Sequence, residues 1–248
     1  MKASYSTNIK ERHDHSTAIM DAHGRLIAQA ENSLPIHVAS MEGLMKSLLA
    51  KYGDDIREGD LYVANDPHTA GGTHLPDINL ALPVFREGRL IGFVANIAHH
   101  ADVGGMAPGS MSGGMTEIFQ EGLRIPVIRL FKEGVLDEEL FDLILLNVRL
   151  PVERRGDYYA QIAGCRLGAR RLGEVIDRYG AAATERGFEQ IRERSAERMR
   201  NAIAGIPEGV YRFEDAMDDD GVGNEHLTIA VTVTVRDGAA SFDFTGTC

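Results

Sequence analysis

The chain has 248 residues, 44% of them apolar, and carries 26 Lys+Arg against 37 Asp+Glu for a formal net charge of -11. That length and apolar content suit one large or two small globular domains, and the acidic balance argues against a general nucleic-acid-binding surface. No apolar run reaches the roughly 18 residues of a membrane span, no basic-then-apolar pattern at the start leads one to expect a secretory leader, and two isolated cysteines, Cys165 and Cys248, exclude a disulfide scaffold and make a reducing cytoplasm the expected compartment.

Residues 16–20 and 25–29 read as a hairpin around Asp21-Ala22-His23-Gly24. A helix is expected over 38–52, with Met41, Leu44, Met45, Leu48, Leu49 and Tyr52 on one face and Gly53 as its stop. A short strand at 61–64 feeds the Asn65-Asp66 loop. Two apolar strands, 78–85 and 90–98, flank the turn Arg86-Glu87-Gly88-Arg89. Residues 101–116 form a long Gly- and Met-rich stretch, and loops of that length are usually functional or mobile. A short helix is expected over 138–148.

The clearest helix covers 157–179. Tyr158, Ile162, Cys165, Ala169, Leu172, Ile176 and Tyr179 keep a regular apolar spacing, and Ala160, Gly164 and Gly168 form a small-residue stripe that permits close approach. A second, more polar helix follows over 185–204, then strands at 228–235 and 240–244 joined by Asp237-Gly238. The expected fold class is α+β, with β-hairpins, a mixed sheet and packed helices. An α+β domain over 1–204 and a terminal β unit over 205–248 would meet near Gly205.

The chemistry concentrates in Asn65-Asp66-Pro67-His68-Thr69-Ala70-Gly71-Gly72-Thr73-His74-Leu75-Pro76-Asp77 and in Ala98-His99-His100-Ala101-Asp102-Val103-Gly104-Gly105. With Phe85 facing Leu90, paired positions sum to 175, so Asp77 faces Ala98 and His99 faces Pro76. The hairpin then brings His74, Asp77 and one of His99 or His100 to the same end. Two imidazoles and a carboxylate suit a divalent metal, with Zn, Mn and Fe equally compatible. Neighbours on a strand point to opposite faces, so at most one of the adjacent histidines is a ligand. The competing reading makes all of these ordinary strand-end polar groups.

Other constellations fail. No GxxxxGK[ST] run occurs, and no GxGxxG opens a helix after a strand. Gly109-Ser110-Met111-Ser112-Gly113 matches a nucleophile elbow in spacing only. Cys165 lies on an apolar stripe and reads as a buried small hydrophobe. Glu117 and Glu121 are acid/base candidates only if that segment is helical.

Asn8-Ile9-Lys10-Glu11-Arg12 with Asp14 and Ser16, the 65–77 run, Ala98–Gly105, Pro108-Gly109-Ser110-Met111, 116–126 (TEIFQEGLRIP) and 166–171 (RLGARR) occur in this order. Together they resemble the hydantoinase B/oxoprolinase family, over nearly the whole chain. That family includes the B-type subunits of ATP-dependent N-methylhydantoinases and 5-oxoprolinases, and related acetone and acetophenone carboxylase subunits. The resemblance implies part of a larger hydantoinase B-type fold, working in a hetero-oligomer with a hydantoinase A-type ATPase subunit that binds ATP and activates a lactam or imide substrate. It implies a divalent metal held by His74, Asp77 and His99. Catalytic roles then fall to His68 and His100 as general-base candidates, and to Asp102, or Asp66, as the group orienting a ligating histidine. The alternatives are a subunit that carboxylates an enol phosphate and a non-catalytic assembly piece. Family members of this type carry a further helical stretch before Asn8 and continue past Phe244, so a fragment of a longer polypeptide is expected.

Overall fold

The computed structural model describes residues 3–248. Contacts divide the chain into two compact units: residues up to Ser112 with Glu117–Phe188, and Gly113–Thr116 with Glu189–Cys248. In the first, a short helix α1 (Thr7–Lys10) leads into strands β1 (His15–Asp21) and β2 (Leu26–Gln29), helix α2 (Pro35–Tyr52), strand β3 (Leu61–Ala64), the four-residue helix α3 (Pro67–Ala70) and strands β4 (Asp77–Arg86) and β5 (Arg89–His99). Strands β6 (Ile128–Lys132) and β7 (Val135–Leu136), helices α4 (Glu138–Leu146) and α5 (Pro151–Tyr179) and the start of α6 (Ala181–Ala204) complete it. The second unit holds a three-stranded antiparallel sheet of β8 (Gly209–Asp219), β9 (Glu225–Arg236) and β10 (Ala239–Asp243), in the order β10-β9-β8. The division falls inside α6 rather than near Gly205, because Phe188 still packs on the Val84, Leu172 and Ile176 cluster.

The first unit is built on a seven-stranded sheet of order β2-β1-β5-β4-β3-β6-β7, antiparallel at every pairing. Helix α2 covers one face. Its Met41, Leu44, Met45 and Leu48 are fully buried against Met20, Tyr62, Ala81, Phe93, Ala95 and Ile97. Each such side chain contributes about 1.5–3 kcal/mol by leaving water. Pro35 starts α2 earlier than the apolar pattern suggests, since its fixed φ and missing N–H suit a first helical position. Helices α4 and α5 cover the opposite face, where Phe141, Tyr158, Ile162 and Cys165 pack on Leu61, Val63, Ile78 and Leu80. The small residues of α5 do permit close approach: a Cβ on Gly168 would stand 2.7 Å from Val94 Cγ1. No described helix is long and apolar enough to cross a membrane.

The central hairpin forms, but in a different register. Its turn is only Glu87-Gly88, both at positive φ, which closes a tight two-residue hairpin. Phe85 pairs with Leu90 as expected, yet Val84 pairs with Gly92, so Ile91 is an extra residue at a bulge. Gly92 sits where a Cβ would lie 2.4 Å from Met20 O on β1. Beyond the bulge, Asp77 faces His99 and Ile78 faces Ala98. This corrects the pairing of Asp77 with Ala98 and of His99 with Pro76.

Gly43 in α2 and Gly71, the left-handed residue ending α3, meet backbone to backbone; a Cβ on Gly43 would stand 2.6 Å from Gly71 Cα. In an exposed helix, Gly→Ala gains up to about 1 kcal/mol. Here overpacking reverses the sign, and Gly43→Ala is expected to lower the unfolding free energy by about 1–3 kcal/mol in chemical denaturation.

Candidate metal centre

Three chain segments deliver the site. Asp77 opens β4 and His99 closes β5, directly opposite each other on the α2 face of the sheet. His74 arrives from the loop between α3 and β4. That loop is pinned by the buried Asn65, whose Nδ2 donates to Leu75 O at 2.8 Å and Leu123 O at 2.9 Å, while its Oδ1 accepts from Ile125 N–H at 2.6 Å. Asp66 caps α3 by accepting from His68 N and Thr69 N, and its other oxygen pairs with Arg124 at 2.5 Å.

One ligand atom each from His74, Asp77 and His99 lies within 4.8 Å of the others. His74 Nε2 is 3.2 Å and His99 Nδ1 is 3.6 Å from Asp77 Oδ1. That oxygen is buried and is met by His74 as an ion pair rather than by a well-aligned hydrogen bond. A cation among these three groups would satisfy it more fully than the imidazoles do. Burial alone would raise the Asp77 carboxyl, but His74, His37 and His99 hold it below the usual carboxylate range. Burial opposes charge on His74 as well, yet Asp77 outweighs it and holds that imidazole above its ordinary value. Burial dominates at His99 and holds it low, despite Asp77 and Asp14. The ionised carboxylate and the lowered His99 imidazole suit a metal ligand set, whereas His74, held high by Asp77, would release its proton on binding.

Two further groups enter to which the sequence alone assigned no role. Asp14 Oδ2 is 3.4 Å from His99 Nδ1. His37 Nε2 is 3.4 Å from Asp14 Oδ1 and 3.7 Å from Asp77 Oδ2. The available signal for His37 was its place on the apolar stripe of α2, four residues before Met41. Asp14 stood in the motif with Ser16, but nothing in the sequence placed it beside His99.

The other residues singled out lie elsewhere. His100 leaves β5 on the α5 face. It is fully buried, with Nε2 2.8 Å from Gln161 Oε1 and its ring against Tyr158. Gln161 directs its own donors to Ile78 O and Asn96 Oδ1, so His100 Nε2 carries the proton. Burial pushes its pKa down to about 4. Asp102 accepts from Gly104 N, Arg149 N and Arg149 Nη1, and Asp66 serves α3 and Arg124, so neither orients a histidine. His68 is exposed on α3, outside the converging groups. Glu117 caps a short 3-10 turn, and Glu121 receives Leu75 N at 3.4 Å. Cys165 is buried, and burial pushes its thiol up to about 12.

A family model described as hydantoinase B/oxoprolinase matches residues 1–248. Among curated relatives, an uncharacterized protein of Methanocaldococcus jannaschii is 39% identical over 98% of this chain and 43% of its own length. A putative D-/L-hydantoinase subunit of a Pseudomonas species is 33% identical over 99% of this chain and 43% of its own. The crystal structure of an ATP-dependent caprolactamase from Pseudomonas jessenii superposes with a TM-score of 0.87 at 33% identity, over 93% of this chain and 39% of that one. The chain therefore spans less than half the length of the relatives it matches.

The Asp102–Arg149 pair sets an acid limit on stability. Burial would raise Asp102, but the Arg149 backbone and guanidinium hold it below the usual range. A carboxyl depressed in the folded state stabilises fully above its unfolded value, and that contribution fades as pH falls through the folded one. Asp102→Asn is expected to cost about 2 kcal/mol near pH 7, with the difference from wild type shrinking below the carboxylate range. Denaturant unfolding at pH 7 and pH 3 reads both quantities.

Proposed function

The chain belongs to the hydantoinase B/oxoprolinase family, and on that footing we propose that it is a metal-dependent subunit of an ATP-dependent cyclic-amide hydrolase. The observation that carries the reading is the convergence of His74 and His99 on one oxygen of the buried Asp77 carboxylate. Asp14 Oδ2 stands beside them, 3.4 Å from His99 Nδ1. Two imidazoles with one or two carboxylates suit Zn, Mn or Fe. Bound there, such an ion would polarise a carbonyl or phosphoryl oxygen or generate hydroxide at neutral pH.

The chain's own residues divide the remaining work. Asp77 and His99 are buried and hold the floor of the site, and Thr73 Oγ1 donates to Asp77 Oδ2 at 3.0 Å to fix the carboxylate plane. His74, with its side chain 32% exposed, lies on the side open to a substrate. The cyclic-amide class is supported by the relative named as a hydantoinase subunit and the structural neighbour named as a caprolactamase. ATP belongs to a partner ATPase of the hydantoinase A type in this reading. The lack of a phosphate-binding glycine motif and the naming of the hydantoinase relative as a subunit support that division. The two free cysteines support a reducing compartment.

Mass spectrometry of the purified chain is expected to find near-stoichiometric Zn, Mn or Fe, lost in His74→Ala. With the ATPase partner added, His74→Ala and Asp77→Ala should each lower lactam or hydantoin turnover by more than the roughly 10–100-fold typical of losing an outer partner of a metal site. Wild-type protein that is folded and metal-free would overturn the reading.

A further inference from the structure

Beside the converging groups stands a second enclosed imidazole whose neighbours determine where its proton sits. His37 lies in the first turn of α2 and is 2% exposed. Its Nδ1 is 3.0 Å from Ser16 Oγ. That hydroxyl oxygen already accepts the Leu34 N–H at 2.9 Å. On the other side of the ring, Nε2 faces Asp14 Oδ1 and Asp77 Oδ2 at 3.4 and 3.7 Å.

A neutral imidazole offers one donor and one acceptor. Placing the proton on Nδ1 would turn the Nε2 lone pair toward two carboxylates. Placing it on Nε2 presents an N–H to both carboxylates and lets the Ser16 hydroxyl donate to Nδ1. Both sides of the ring thus select the same tautomer. The carboxylate oxygens are divided accordingly. Asp77 Oδ1 and Asp14 Oδ2 face the ligand histidines, while Asp77 Oδ2 and Asp14 Oδ1 face His37.

We propose that His37, locked by Ser16, is a positioning residue that holds the outer oxygens of Asp14 and Asp77 so that their inner oxygens point at the metal position. The inference rests on the metal reading above. The Ser16–His37–carboxylate chain is not a nucleophilic triad. Ser16 is 1% exposed and its oxygen is engaged by the Leu34 amide, so no substrate reaches it. Groups that orient metal-ligating carboxylates and imidazoles typically contribute 10–100-fold in metal affinity.

The test is calorimetric titration of Mn(II) and of Zn(II) into the metal-stripped chain, with thermal melts of each metal-free variant as a folding control. Wild type is expected to bind one equivalent. His37→Phe should weaken binding by about 10–100-fold. His37→Gln, whose amide N–H can reach the place of Nε2–H, should recover most of that loss, and Ser16→Ala should fall between them. If His37→Phe does not fold, Ser16→Ala against His37→Gln decides. Unchanged affinity in His37→Phe would overturn the inference, and so would equal weakening in Phe and Gln, which marks a merely structural role. Two equivalents in wild type, one of them lost in His37→Phe, would make His37 a ligand of a second ion and overturn it as well. Folded wild type that binds neither ion would instead overturn the metal reading itself.

Discussion

The pairing of β4 with β5, offset by one residue at Ile91, is the constraint on which the site depends. Directly opposed residues of an antiparallel pair share a face, and a slip of one residue sends every side chain of a strand to the other side. With positions summing to 175, Asp77 would share its face with Ala98 and His100. The bulge beside Gly92 moves the sum to 176 and places Asp77 opposite His99. The choice between two adjacent histidines is therefore made some 25 Å down the strand, at roughly 3.3 Å per residue. It is made by a local irregularity that β1 accommodates because position 92 has no side chain.

The two faces of the sheet then handle buried polarity in opposite ways. On the α5 side, His100, Gln161, Asn96 and the Ile78 carbonyl form a neutral chain in which the amide groups are matched, although His100 Nδ1 is buried without a partner. On the α2 side, two carboxylates and three imidazoles crowd together, mostly at ion-pair rather than hydrogen-bond distances. Buried polar networks stabilise when complete and cost free energy when incomplete. The fold alone assigns no chemistry to either cluster, since one architecture serves many chemistries.

Much of the architecture was legible in the chain. The helices over α2, α4, α5 and α6, the strands β1 to β5 and the β9–β10 hairpin follow from apolar periodicity and glycine stops, and their observed bounds differ from the expected ones by a few residues, as at Pro35 and Pro151. The hairpin argument singled out His74, Asp77 and one of His99 or His100, and the family motifs favoured His99; the structure brings His74, Asp77 and His99 together. The roles expected of Asp102 and His100 did not match their placement. Residue type and nearness in sequence say nothing about which face a residue takes or which partner reaches it first. Asp102 meets Arg149, which lies 47 residues away, and His100 meets Gln161, 61 residues away.

What the sequence determined by itself is the set of local choices: where the chain turns, which stripe of each helix is apolar, and that two His/Asp/Gly segments flank one hairpin. Those depend on period, propensity and turn chemistry, which act over a few residues. What only the tertiary structure decided is the register past Ile91, the arrival of Asp14 from β1's approach and of His37 from the first turn of α2, and the direction in which each buried imidazole points. Those depend on contacts between segments far apart in the chain, where packing and the pairing of buried polar groups, rather than local preference, select the outcome.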